Sequence, residues 1–126
     1  MRQIVQDMEH LRKLGEPFVL ATVITRNGSA PRSAGAKMLI RQDGKTTGTI
    51  GGGILEAQVK QLTAEVFEHH QASINSYQFS GKDAAAMDAI CGGQVEVLVE
   101  WVDPGDSETA RIIQGLYNAI LNPYIS

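Results

Sequence analysis

The chain has 126 residues, 43% of them apolar and 20% charged, and a formal net charge of −3. That length suits one domain able to bury a core without disulfides or a structural metal. The acidic balance argues against a nucleic-acid surface, which needs a basic excess, and no apolar run is long enough to span a bilayer.

In "MRQIVQDMEHLRKLGE", Ile4, Met8 and Leu11 recur at helical spacing. Arg12 and Lys13 suit the negative end of a helix dipole, and Gly15 is a natural C-cap, so the spacing predicts a helix over 2–14. This stretch lacks the hydrophobic core of a secretion signal. "PFVLATVIT", Pro17 to Thr25, is a nearly unbroken β-branched and apolar run, as expected of a strand covered on both faces. "RNGSAPRSAG", Arg26 to Gly35, is a loop carrying the turn signals Asn27-Gly28 and Ala30-Pro31. Strand character resumes over 36–50, with Asp43-Gly44 placed to make a tight hairpin.

Three glycines, Gly51-Gly52-Gly53, then separate strand from helix. Leu55, Val59, Leu62 and Val66 share a helical face, and the helix is expected to end near His69-His70. "SINSYQFS" reads as a short strand, whereas "GKDAAAMDAICGG" is Ala-rich like a helix but closed by glycines, and stays ambiguous. "QVEVLVEW" is a strand with Val95, Val97 and Val99 on one face. "DPGDS" breaks it, and Ile112, Leu116 and Ile120 carry a final helix. The order implies a single compact α+β (mixed α/β) domain, a mixed sheet of about five strands packed by about three helices.

Four features carry candidate chemistry. The glycine run follows a strand and opens a helix, where exposed N–H groups and the positive dipole end bind anions. It has neither the dinucleotide fingerprint nor a Walker lysine, so a tight packing turn remains equally open. Glu56 either faces this turn or simply favours the first helical turn. Cys91, the single cysteine, precedes Gly92-Gly93 and a strand. It is either a small buried hydrophobe or an accessible nucleophile, sulfur carrier or soft-metal ligand. No internal disulfide is possible, and a reducing, cytoplasmic setting is the expectation. No second Cys or His has zinc-ligand spacing to it. In "GSAPRSAGAKM", Arg32 is either a fork for phosphate or carboxylate or a plain surface arginine, and Ser29 has no evident catalytic partner. His69 and His70 read as a solvated pair at a helix C-terminus.

Taken together, "ATVITRNGSAPRSAGAKMLIRQDGKTTGTIGGGILEAQV" closely resembles the N-terminal domain of the XdhC/CoxI family, accessory proteins of xanthine dehydrogenase and related molybdenum hydroxylases. The match runs through Gly28, Ser29, Pro31, Arg32, Gly35, Ala36 and Met38, the Asp43-Gly44 hairpin, Gly48, Gly51 to Gly53 and Glu56, then Cys91-Gly92-Gly93. It spans about residues 16 to 102.

The resemblance implies a protein that binds the molybdenum cofactor (molybdopterin, in simple or dinucleotide form), protects it during sulfuration and delivers it to the apo molybdenum hydroxylase, with a cysteine desulfurase as a further partner. It implies a cofactor chaperone more than a catalyst. Ser29, Arg32, Gly51, Gly52, Gly53, Glu56, Gly92 and Gly93 would bind the cofactor. Cys91 would be the reactive residue and a candidate molybdenum ligand, no other metal site being expected. Two departures stand out: Ile54 occupies a position where many members have cysteine, and the Rossmann-like NAD domain of many members is not expected within 1–126. The alternatives are a sulfur- or nucleotide-transferase or an NAD-linked oxidoreductase subunit acting on the cofactor, or a structural or oligomerising domain. The last helix could pack on a second copy, so a homodimer is the expectation. Neither nucleic acid nor membrane is an expected partner.

Overall fold

The computed structural model describes residues 1–27, 34–78 and 94–121. In chain order these form α1 (Arg2–Leu14), β1 (Phe18–Asn27), β2 (Lys37–Ile40), β3 (Thr46–Gly48), α2 (Gly53–His69), β4 (Ser73–Gln78), β5 (Gln94–Val102) and α3 (Ser107–Leu121). The strands make one sheet in the order β3-β2-β1-β5-β4. Among the described residues, five strands and three helices follow the sequence pattern.

Pairing is antiparallel at all four junctions rather than mixed. The reason is topological. β2 and β3 form a hairpin, and α2 joins β3 at one edge to β4 at the other, so the helical crossover among the described residues links strands that are not neighbours. The Asp43-Gly44 turn is also wider than a two-residue hairpin. Arg41 N–H donates to Lys45 O at 2.8 Å, Gly44 N–H to Arg41 O at 2.9 Å, and the Asp43 carboxylate takes the Lys45 N–H at 2.9 Å.

α1 ends where its sequence implies. Gly15 adopts φ 72°, its N–H bonds Arg12 O and the Glu16 N–H bonds Leu11 O, closing the helix with a left-handed cap. Ile4, Val5, Met8 and Leu11 are its buried stripe.

The unbroken apolar run of β1 is explained by two covered faces. Val19, Ala21 and Val23 point to one side, with Met38, Ile40, Val95, Val97 and Val99, beneath Leu55, Val59 and Val66 of α2. Phe18 points to the other, against α1 and against Ile113 of α3. Helices thus sandwich the sheet, and side chains alternate between two cores with the strand period of two. Glu9 is the buried charged residue among those described. Arg12, one turn on, grips its carboxylate with two donors, Nε to Oε1 and Nη2 to Oε2 (the latter at 3.1 Å), which compensates the burial.

This topology decides where the loops lie. The C-terminal end of β1 pairs with the N-terminal end of β5, Asn27 opposite Gln94. Gly48, the last residue of β3, sits opposite Met38 near the start of β2. Gln78 closes β4 opposite Gln94. All these strand ends belong to one end of the sheet.

Candidate functional site

The glycine turn stands at that end, between β3 and α2. Gly51, Gly52 and Gly53 have φ of 133°, 78° and 49°. Side-chain-bearing residues rarely adopt such a run, so the three glycines are required by the path of the backbone. Ile50, 1% exposed, pins the turn to the core on the α2 side of the sheet.

Gly52 is the N-cap of α2 and has no side chain with which to cap it. Glu56, in the first turn, takes over that role. Its Oε2 accepts the N–H of Gly52 at 2.8 Å, the N–H of Ile50 at 3.2 Å and the hydroxyl of Thr49. The Thr49 hydroxyl oxygen in turn accepts the Gly51 N–H at 3.1 Å. This is the acid half of a capping box, reached from one residue further along: the carboxylate takes the N-cap N–H and a backbone donor ahead of it, and its charge lies at the positive end of the dipole. Both sequence readings of Glu56 are therefore met at once. Three donors converging on one carboxylate oxygen make the turn an oxyanion cradle whose resident anion belongs to the chain.

The structure brings Gly51, Gly52, Gly53 and Glu56 together. Ser29, Arg32, Cys91, Gly92 and Gly93 lie outside the described residues, as does the ambiguous segment before Cys91. In sequence these residues follow β1 or precede β5; the two strands are hydrogen-bonded neighbours, and the end of β1 and the start of β5 lie at the same end of the sheet as the glycine turn. Ile54 is half-buried and packs against the core under α2. Thr49 is a participant that sequence reasoning missed, since a threonine ahead of a glycine run carries no local signal of its hydrogen bond to a carboxylate seven residues later.

The histidines divide. His69 is exposed, 3.9 Å from Glu68. His70, in left-handed conformation at φ 58°, stacks flat on Trp101 with ring centroids 3.6 Å apart. No group of three or more potential metal ligands occurs among the described residues, and no helix among them is long and apolar enough to cross a membrane.

Comparison with known proteins gives a consistent result. The sequence profile of the XdhC and CoxI family matches residues 11–78, more than half of the chain. An uncharacterized protein of Escherichia coli (strain K12), YqeB, is 32% identical over 83 residues, covering 66% of this chain and 15% of its own length. A probable xanthine dehydrogenase subunit from Bacillus subtilis (strain 168) is 33% identical over 87 residues, covering 68% of this chain and 26% of its own. A crystal structure of a xanthine dehydrogenase from Bacillus halodurans superposes with a TM-score of 0.72 at 27% identity, over 94% of this chain and 35% of that one. The chain thus spans about a quarter or less of the curated relatives it matches.

Proposed function

The chain belongs to the XdhC and CoxI family, and on that premise we propose that it is an accessory domain that binds the molybdopterin cofactor and passes it to the apo-form of a xanthine dehydrogenase-type molybdenum hydroxylase. The observation that supports this most is the common exit of the three motif-bearing connections at one end of the sheet, beside a turn built to hold an oxyanion. A purely structural role for the glycines gives no reason for the other two motifs to share that end.

The residues present suit the cofactor's phosphate. A carboxylate oxygen already takes three donors in the turn, and a phosphate oxygen offers the same acceptor chemistry with more charge. In this reading the donors of the turn, the Gly52 N–H among them, pass from Glu56 to the phosphate, which lies against the backbone of Gly51 and Gly53, with Arg32 as its bidentate partner and Ser29, Gly92 and Gly93 beside it. Cys91 approaches the metal or relays sulfur, and a cysteine desulfurase and a second copy of the chain are its further partners. When bound, the group supplies the dithiolene-held molybdenum that the hydroxylase uses.

The test is purification of the chain from cells that make the cofactor, with molybdopterin quantified as its fluorescent oxidation product. Wild type should retain it. Arg32→Ala should retain about tenfold less, the effect of one lost charge-assisted pair, and Cys91→Ser should retain cofactor that does not become sulfurated. Wild type free of cofactor, or both variants indistinguishable from it, overturns the reading.

A further inference from the structure

A second site lies at the same end of the sheet, on the α1 side. A cavity of about 490 Å³ opens between the first turn of α1 and the start of β2. Arg2, Gln3 and Ile4 form one wall, Ala36 and Lys37 the other, and Gly48 and Thr49 the base. That volume falls within the range of small-molecule sites.

Its charge is one-sided. Arg2 and Lys37 come from separate elements and both line the cavity, and no carboxylate among the described residues lines it, although the chain as a whole is acidic. Neither cation makes an ion pair among the described residues. Arg2 uses one donor on Ile120 O at 3.3 Å, and Lys37 uses one on Gly35 O at 3.2 Å, itself at the cavity wall. A guanidinium has five N–H donors and an ammonium three, so most remain for a ligand. Both anchoring bonds go to backbone carbonyls, which position the cations without neutralising them.

The base is tightly built. A Cβ on Gly48 would lie 2.5 Å from Lys37 O and 2.7 Å from Ile4 Cδ1, so the two walls meet across a residue that has to be glycine. Ala36, half-buried, and the exposed Met1 add apolar surface beside the charged pair. We propose that this cavity binds a small phosphorylated molecule, its phosphate held between Arg2 and Lys37 and its organic body against Met1 and Ala36. The site adjoins the glycine turn through Thr49, but the turn's donors face Glu56, and the proposal does not depend on molybdopterin being the cofactor.

The experiment is a titration of the isotope-labelled chain followed by amide NMR, with phenyl phosphate, inorganic phosphate and phenol as probes. Phenyl phosphate should shift the amides of Gln3, Ile4, Ala36, Lys37 and Thr49 saturably. Inorganic phosphate should shift the same amides more weakly, and phenol should shift none of them. Arg2→Gln and Lys37→Gln should each weaken phenyl phosphate about tenfold, whereas Lys60→Gln, exposed on α2, should leave it unchanged. Arg2 is exposed, so its variant keeps the fold and decides alone if Lys37→Gln does not give a dispersed spectrum. Non-saturating shifts, shifts confined to Ile50–Gly53, phenol binding as well as phenyl phosphate, or equal affinity in Arg2→Gln each overturn the proposal.

Discussion

Glu56 Oε2 accepts the backbone N–H of Gly52 at 2.8 Å, so the helix opened by the glycines is closed by its own carboxylate. Removing that carboxylate has two separable effects. Glu56→Ala leaves Thr49, Ile50 and Gly52 without their acceptor and should cost about 2–3 kcal/mol in urea unfolding. Glu56→Gln keeps an acceptor oxygen and should cost about 1 kcal/mol. In the proposed function Glu56 also competes with the cofactor's phosphate, so Glu56→Gln should retain more molybdopterin per folded chain than wild type. Equal retention would leave Glu56 with a capping role alone.

Gly48 joins α1 to the sheet by close approach. Its φ of 83° is already unfavourable for any side chain, and an added methyl would meet the backbone carbonyl of Lys37 at 2.5 Å. Gly48→Ala should therefore destabilise the chain by more than about 2 kcal/mol, from left-handed strain and overpacking combined. Trimming the movable neighbour tests the assignment. Ile4→Val in the Gly48→Ala background relieves the contact with Ile4 Cδ1 and not the one with Lys37 O, so rescue should be partial. Full rescue in denaturant melts would assign the strain to Ile4 alone.

His70 and Trp101 supply a spectroscopic handle, because the chain has one tryptophan. The rings lie 3.6 Å apart and 1° from parallel, and the indole Nε1–H is buried with no hydrogen-bond partner among the described residues. His70→Ala uncovers one face of the indole. Emission should move to longer wavelength, and stability should fall by about 0.5–1.5 kcal/mol, the usual worth of an aromatic pair. Unchanged emission would mean that the stack does not shield Trp101 in solution.

These contacts mark the boundary of what the sequence makes legible. The Gly15 cap, the buried stripe of α1 and the alternation of Val95, Val97 and Val99 are local patterns, and the fold realises them directly. Glu56 is half legible: its place in the first helical turn follows from spacing, but its closure of the turn depends on Thr49 and on a chain reversal that no periodicity encodes. His70 reads as a solvated helix-end residue until the sheet brings Trp101 beneath it. Arg2 and Lys37 carry no signal at all in sequence, because only the packing of α1 across β2 and β3 sets them on one cavity. The antiparallel sheet is likewise hidden, since strand order across the crossover is a property of the whole chain and not of any window.

α3 carries the clearest pH dependence. The Asp106 carboxylate accepts the Thr109 N–H at 3.0 Å and the Thr109 hydroxyl at 2.9 Å, capping the helix start. These two bonds, the backbone one first, hold its pKa below the ordinary 3.8. A carboxylate whose pKa is lowered on folding stabilises the native state in full above its unfolded value and loses that contribution as pH falls through the folded one. Asp106→Ala should therefore melt earlier than wild type by a constant margin from pH 7 to about pH 5. Below 3.8 the margin should narrow as the wild-type carboxylate protonates. Asp106→Asn caps without a charge, so its advantage over Asp106→Ala should not vary with pH. Thermal melts of the three chains at a series of pH values separate these outcomes, and a wild-type margin over Asp106→Ala that stays constant into acid would assign the cap to geometry rather than to ionisation.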